Sequence, residues 1–231
     1  MSALACETCP VRDRAACAVL DEAERAALAA AGRHRTLARG DVLFSAGDDE
    51  AACATLVSGA LKVSATDSEG EERILALIHP AGFVGEMFAP FAHYDVVALT
   101  DSRVCQFGRR DMDAAVERHP ALARALLRRS QEDLHAARQL LALSGKRSAE
   151  SKLAALLLGL AEGASDSPCH PAKNFDLPLT RGEMAGMLGI TIETVSRRLG
   201  AFESDGLVRR KGTRGIELLD PARIAALAHR R

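Results

Sequence analysis

The chain has 231 residues, of which 48% are hydrophobic and only 3% aromatic, with a formal net charge of −1. This length suits one large domain or two smaller ones, each with its own core. No run of about 18 apolar residues occurs, which argues against a membrane-spanning helix. The first residues lack the apolar stretch of a secretory signal, so we expect no membrane association and a cytoplasmic location with reduced thiols.

Charge is unevenly distributed along the chain. Acidic residues outnumber basic ones in residues 1–145, whereas basic residues outnumber acidic ones in residues 176–231. A basic excess in the C-terminal part hints at a polyanionic partner there.

Three cysteines, Cys6, Cys9 and Cys17, lie close together near the start with the spacing Cys-x2-Cys-x7-Cys. The segment that carries them, CETCPVRDRAAC, is polar and rich in small residues, so we expect it to build no core. Clustered thiols in a reducing compartment more often bind a metal or sense redox state than form structural disulfides. The segment is therefore a candidate sensor.

A β-rich domain follows one short helix. Asp21 and Glu24 have the spacing of a capping box and predict a helix that ends near Gly32. Residues 35–110 then show short apolar runs separated by glycine turns, which predicts a compact antiparallel barrel or roll. Cys53, within one of these runs, is expected to be a small buried or half-buried residue of that roll.

A helical pattern returns after Asp111, and a long helix without Pro or Gly is predicted between Pro120 and Gly145. Two heptad stripes compete along it, and we favour a dimerisation helix over packing within one domain. The candidate interface residues of one stripe are Leu127, Ser130, Leu134, Ala137 and Leu141. Those of the other stripe are Leu126, Asp133 and Leu140. Asp133 would place two acids opposite each other in a seam.

The C-terminal part has the pattern of a helix-turn-helix. Thr180 and Glu183 predict a capping box for a first helix, Gly189 permits a tight turn, and Thr191 can cap a second helix that ends near Gly206. On that second helix Glu193, Ser196 and Arg197 share one face, and their chemistry suits base edges in the major groove. The alternative is a solvated face with a Glu193–Arg197 ion pair.

Two short strands around a basic turn follow, as expected of a wing that contacts phosphates. The candidate contacts to the DNA backbone are Thr180, Arg181, Thr191, Thr194, Arg198, Arg209, Arg210, Lys211 and Arg214.

From about residue 20 to the end the chain resembles the CRP/FNR family of bacterial transcription regulators. The resemblance rests on RGDVLFSAGD, VSGALKV, GFVGEM, the long helix and LTRGEMAGMLGITIETVSRRL. Glu193 to Arg197 look like the E-x-x-S-R reading motif of the FNR branch. The implied fold is α+β: an N-terminal antiparallel β-roll like the cyclic-nucleotide-binding jelly roll, a long dimerisation helix, and a C-terminal winged helix-turn-helix.

The resemblance also implies a cofactor and partners. Cys6, Cys9 and Cys17 match the N-terminal trio of FNR-type oxygen sensors and Cys105 matches the fourth ligand, which implies one 4Fe–4S cluster per subunit. It further implies a transcription regulator, expected to be an activator, that loses its cluster to oxygen, binds double-stranded DNA as a homodimer at a site close to TTGAT-N4-ATCAA and contacts RNA polymerase. Activation versus repression remains open. Zinc binding by the same cysteines, redox thiols, and sensing of nitric oxide remain open.

The remaining expectations concern ligands and domain limits. Gly85 and Glu86 match a cyclic-nucleotide pocket, but FAPFAHYDVVAL lacks the arginine that would clamp the phosphate, so no cyclic nucleotide is expected. No constellation predicts an enzyme. The expected domains are a cysteine-rich cluster-binding segment (1–20), the β-roll sensor domain (21–118), the dimerisation helix (119–146) and the winged helix-turn-helix domain (147–231).

Overall fold

The computed structural model describes residues 6–48, 52–87, 89, 91–145, 148–165, 167 and 170–229. Residues 1–5 of the predicted cysteine-rich segment lie outside this range. The chain divides into two units, Met1–Ala137 and Arg138–Arg231, and the boundary falls within the long helix predicted for 119–146.

Unit 1 begins with two short 3-10 turns, Cys6–Thr8 and Ala16–Val19, followed by helix α1, Glu22–Ala31. The predicted capping box is confirmed, because Asp21 accepts a 2.8 Å hydrogen bond from the Glu24 backbone and Glu24 accepts one of 3.0 Å from the Asp21 backbone. Local side chains thus satisfy the free amides at the start of α1.

Eight antiparallel strands and no helix occupy the described residues between Gly32 and Gly108, which confirms the predicted roll. The strands are β1 (Gly32–Leu37), β2 (Val42–Phe44), β3 (Ala52–Ser58), β4 (Leu61–Thr66), β5 (Glu72–Ile78), β6 (Phe83–Val84), β7 (Asp95–Ala98) and β8 (Ser102–Gly108). They form two four-stranded sheets with the orders β1-β8-β3-β6 and β2-β7-β4-β5. Inward-facing residues of both sheets, such as Leu56, Leu61 and Val104, make one apolar core.

Strand β8 lies inside its sheet, between β1 and β3. The register places Cys105 opposite His34 on one side and Thr55 on the other. Backbone hydrogen bonds on both sides therefore hold the strand that carries Cys105.

Two helices follow the roll, α2 (Arg109–Arg118) and α3 (Pro120–Ser144). Pro120 explains the break, since the residue before a proline is disfavoured in a helix and proline itself suits the first helical position. Among the described helices none is long and apolar enough to cross a membrane.

The prediction that the cysteine segment builds no core is wrong. Val11 and Ala15 are buried with Val57 and Ala81 of the roll, and a second group that includes Leu20 packs around the inner face of α1. The few aliphatic residues of the segment suffice, because turns bring them to one side and the roll supplies the rest of the apolar surface.

Within the described residues, unit 2 contains the end of α3, four further helices and a three-stranded antiparallel sheet of order β10-β11-β9. Its elements are α4 (Ala149–Gly163), β9 (Asn174–Asp176), α5 (Arg181–Leu188), α6 (Ile192–Ser204), β10 (Val208–Lys211), β11 (Gly215–Leu218) and α7 (Pro221–Ala228). The two helices of the predicted helix-turn-helix are α5 and α6, and β10 and β11 are the predicted wing. Strand β9, which completes the wing sheet, was not predicted.

Candidate metal centre and nucleic-acid interface

The four predicted cysteine ligands line one cavity of unit 1, with a volume of about 40 Å³. Cys6, Cys9 and Cys17 come from the terminal segment, and Cys105 comes from the interior strand β8. One potential ligand is thus fixed by the sheet, whereas three are fixed by turns that pack on it.

Apolar side chains form most of the remaining wall, among them Leu28, Phe83, Met112 and Leu122. Burial in these surroundings raises the pKa of Cys105 to about 12, with further contributions from repulsion by Cys9, Cys6 and Cys17. Burial first, and then repulsion from Cys9, also raises the pKa of Cys17 and of Cys6. The thiols of Cys6, Cys17 and Cys105 are therefore protonated at neutral pH when no metal is bound.

Arg25 is the buried cation of this cavity. Its Nη2 donates to the carbonyl oxygens of Leu20 at 2.8 Å and Ala18 at 3.4 Å, and its Nε donates to that of Cys17 at 3.3 Å. Its positive charge acts to lower the pKa of Cys6 and Cys17, and that of Arg12 does so for Cys6. Sequence reasoning missed Arg25, although its position three residues before Leu28 on a short amphipathic helix was a signal that it faces inward.

The donor set suits a soft metal centre. Four thiols on one apolar cavity agree in type and number with the ligands of iron–sulfur clusters and thiolate zinc sites, and Arg12 and Arg25 would offset the negative charge of the thiolates. Within the described ranges no three Cys, His, Asp or Glu side chains lie at a geometry that holds a metal ion. Cys53, in contrast, is fully buried as expected, in the apolar cluster that includes Leu28, Phe107 and Met112, and burial raises its pKa to about 12.

Helix α3 presents the two predicted stripes differently. Leu127, Leu134 and Leu141 are 62%, 50% and 74% exposed, and Ser130 is exposed beside them. Leu126 instead packs against the core near the cysteines, and Asp133 lines a second cavity of the roll.

Leu126 and Asp133 therefore face their own unit, and their assignment to a dimer seam stays a prediction. The sequence could not choose the phase, because both stripes keep a seven-residue spacing. Ala137 and Leu140 are half-buried.

The second cavity, of about 190 Å³, lies where the resemblance implies a nucleotide pocket and includes Glu86, Tyr94 and Asp133. Glu86 accepts hydrogen bonds from the His93 backbone and contacts His93 Nδ1 at 3.0 Å. Burial raises the pKa of Asp133 to about 6. The described residues that line this cavity include no arginine.

Local signals build the helix-turn-helix as predicted. Thr180 and Glu183 form a reciprocal capping box, and Thr191 accepts a hydrogen bond from the Thr194 backbone at 3.2 Å. Gly189 between the helices has a φ of +59°, a left-handed conformation that glycine adopts without strain. Buried residues of α5 and α6, such as Leu188, Val195 and Leu199, fix the angle between them.

The expected reading residues Glu193, Ser196 and Arg197 are all exposed on the first two turns of α6. A hydrogen bond to its own backbone amide, and then one from Thr191, lowers the pKa of Glu193. Glu193 is thus ionised at neutral pH and acts as an acceptor, which suits the amino group of cytosine.

The expected phosphate-contacting cations differ in their surroundings. Arg209 and Lys211 contact Glu217 at 3.1 and 3.2 Å, and Arg210 binds Glu203 through its backbone and guanidinium. The wing cations are thus partly neutralised, which sequence reasoning did not foresee.

The other expected backbone contacts lie nearby. Arg181 lines a polar cavity with Arg210 and Arg214, and burial, together with Arg210, lowers its pKa. Arg198 is half-buried, and its Nε finds no hydrogen-bond partner among the described atoms. Thr180, Thr191 and Thr194 are held in the helix caps described above.

Two family models match the chain. A Crp-like helix-turn-helix domain matches residues 151–227, and a cyclic nucleotide-binding domain matches residues 34–119. The first covers α5, α6 and the wing, and the second covers most of the roll.

Curated relatives match over nearly the whole chain. The transcriptional activator protein FnrL of Cereibacter sphaeroides is 34% identical over 95% of this chain and 90% of its own length. The nitrogen fixation regulation protein FixK of Bradyrhizobium diazoefficiens is 33% identical over 96% of this chain and 93% of its own. The transcriptional activator protein anr of Pseudomonas aeruginosa is 32% identical over 85% and 80%.

A solved structure agrees in fold. That of FixK2 from Bradyrhizobium japonicum has a TM-score of 0.76, with 23% sequence identity over 87% of this chain and 98% of that chain.

Proposed function

The chain belongs to the CRP/FNR family of DNA-binding transcription regulators, and on that premise we propose that it is an oxygen-responsive activator whose cysteines hold a 4Fe–4S cluster. The observation that carries the proposal is that Cys6, Cys9, Cys17 and Cys105 line one cavity. The names of the relatives FnrL and anr, both activators, support the direction of regulation.

Cys6, Cys9, Cys17 and Cys105 would supply the four thiolates, one for each iron. A cluster held there would supply reactivity towards oxygen, and its loss would free the four cysteines. The raised thiol pKa values mean that the released cysteines take up protons, and this makes metal loading dependent on pH.

The protein's own part in the switch is mechanical. The terminal segment covers an apolar wall that includes Leu122 and Leu126 of α3, so its attachment stabilises that helix. Leu127 and Leu134 on the outer side of α3 would then pair with a second copy of the chain. A dimer presents two α6 helices to two half-sites.

Each α6 would read one half of an inverted repeat close to TTGAT-N4-ATCAA. Arg197 can donate two hydrogen bonds to a guanine, ionised Glu193 can accept from a cytosine, and Ser196 adapts to either neighbour. As an activator the protein would also contact RNA polymerase. The described lining of the roll cavity holds no arginine that could clamp a phosphate, which supports a switch that does not use a cyclic nucleotide.

The second candidate is a regulator of the same family whose cysteines hold zinc or act as redox thiols, since zinc also accepts four thiolates. Purification without oxygen separates the two. We expect a straw-brown protein with stoichiometric iron and acid-labile sulfide, whose visible absorbance bleaches in air and whose affinity for the inverted repeat then falls. A colourless anaerobic protein with one zinc per chain would overturn the proposal. Bleaching by nitric oxide but not by oxygen would reassign the signal.

Two cysteine variants give a matched control. Cys105→Ala is expected to lose the absorbance, whereas Cys53→Ala removes a buried thiol from a neighbouring strand of the same sheet and is expected to keep it. Loss of absorbance in both would indicate a folding defect in place of a ligand role.

A further inference from the structure

Helix α3 forms part of the wall of the cysteine cavity. Leu122 and Leu126 line it directly. One turn after Leu126, the Nη2 of Arg129 donates a 2.9 Å hydrogen bond to the backbone carbonyl of Arg14. The side chain of Arg129 on α3 therefore binds the main chain of the segment that carries the cysteines.

A tight turn connects the Arg14 carbonyl to the cysteines. The Arg12 amide donates to the Cys9 carbonyl at 3.1 Å, and the Arg14 and Ala15 amides donate to the Val11 carbonyl at 3.1 and 2.9 Å. Val11 and Ala15 anchor the turn in the core. A movement of Cys9 or Cys17 therefore also moves the oxygen that Arg129 binds.

Arg129 is itself positioned. Its Nη1 contacts Glu132 Oε2 at 2.9 Å, and its side chain is only 25% exposed. A guanidinium held by a carboxylate on its own helix keeps its second donor pair aimed at one acceptor, so little side-chain freedom is lost in the contact.

The pairing residues lie on the other side of the same helix. With about 100° per residue, Leu127 and Leu134 project roughly opposite to Arg129. Displacement of Arg129 therefore tilts or rotates the side of α3 that carries Leu127 and Leu134. Small changes in the register of these residues weaken pairing between two copies.

We propose that Arg129 is a positioning residue that links the cysteine segment to the pairing face of α3, so that release of the cysteines weakens dimerisation through this contact. The proposal rests on the proposed function for the trigger, but the contact itself is independent of any cofactor.

The first test uses metal-free, reduced protein. Arg129→Gln removes the forked donor, and Arg128→Gln is the matched control, because Arg128 is an exposed neighbour on a side of α3 away from both faces. We expect iodoacetamide to modify Cys9 and Cys17, resolved by mass spectrometry, about five-fold faster in Arg129→Gln, since a lost contact of about 1 kcal/mol frees the segment by that factor. Arg128→Gln should match the wild type, and Arg129→Lys should be intermediate. Equal rates in Arg129→Gln and wild type would overturn the contact.

The second test measures the dimer dissociation constant by sedimentation, for protein purified without oxygen and for metal-free protein. We expect the anaerobic Arg129→Gln protein to retain its iron and sulfide but to dimerise about five-fold more weakly than the anaerobic wild type. A dissociation constant equal to that of the wild type would overturn the link to the pairing face. If the wild type carries no cluster, the proposed function fails, and the alkylation rates together with the metal-free dissociation constants still decide the role of Arg129.

Discussion

Arg25 on helix α1 donates a 2.8 Å hydrogen bond from Nη2 to the carbonyl oxygen of Leu20, at the end of the turn that carries Cys17. The same guanidinium also donates to the carbonyl oxygens of Cys17 and Ala18, so it stabilises this turn through three backbone acceptors. Arg25→Met would leave three carbonyls without these donors. We expect a loss of about 2 kcal/mol in the free energy of unfolding, measured with urea on metal-free protein.

The control for Arg25 is Arg33→Met, at an exposed position of β1. A loss for Arg33→Met as large as that for Arg25→Met would show that the buried carbonyl contacts contribute nothing specific.

The thiols of Cys53 and Cys105 predict how the metal-free protein responds to alkaline pH. Both have a pKa of about 12, raised first by burial. At pH 8 we expect alkylation of each in the folded protein to be on the order of a thousandfold slower than in urea, because the thiolate is the reactive form.

The raised pKa values of Cys53 and Cys105 also determine how the free energy of unfolding changes with pH. The folded protein keeps these protons above about pH 9, where the unfolded chain releases them, so the free energy of unfolding should fall as the pH rises from 9 towards 12. Urea unfolding at pH 8 and pH 10 tests this, and an increase in stability over that interval would contradict it.

Leu134 tests the pairing face. Leu134→Ala removes apolar surface from both copies in a dimer, and about 1.5 kcal/mol per copy would raise the dimer dissociation constant roughly 100-fold. Leu75→Ala, the same substitution at a partly exposed site on β5, should leave it unchanged. Analytical ultracentrifugation measures both, and a normal Leu134→Ala dimer would place the seam elsewhere.

Arg197 tests base reading. Arg197→Ala should cost about 1–3 kcal/mol of discrimination at one guanine position and little on a site already changed there. Arg214→Ala should weaken binding to all sequences alike, as loss of a phosphate contact does. Fluorescence anisotropy with a panel of single-base variants separates these patterns. A uniform loss for Arg197→Ala would move that residue to the phosphate contacts.

Replacement of Glu217 is predicted to raise DNA affinity, in contrast to the loss expected for the two arginine variants. Hydrogen bonding from Lys211 lowers the pKa of Glu217, and the carboxylate also contacts Arg209. Glu217→Gln should free these cations, raise affinity for non-specific DNA and steepen the salt dependence by about one unit of log–log slope. Glu69→Gln, in an exposed turn of the roll, is the control of equal charge. An unchanged slope would show that the ion pairs with Glu217 do not reduce phosphate binding by Arg209 and Lys211.

Sequence predicted those features that depend on neighbours along the chain. The Asp21–Glu24 and Thr180–Glu183 boxes, the turn at Gly189 and the break before Pro120 all follow from residues within a few positions of each other. The cavity of four cysteines was reached through the family resemblance, because nothing local joins Cys17 to Cys105.

What sequence missed depends on tertiary approach. Whether Leu126 or Leu127 faces outward is decided by which side of α3 the roll covers, and the two stripes differ by only about 100° around the helix. The pairing of Glu217 with the wing cations likewise requires the register of β10 against β11.

The position of Cys105 on an interior strand also bears on how such a protein arises. One candidate ligand belongs to the sheet and is secured by strands on both sides, while the other three belong to a terminal segment that packs on the outside of that sheet. Loss of that segment would thus abolish the candidate site in a descendant and leave the roll and the reading helix intact, whereas its gain would also require a cysteine at the position of Cys105.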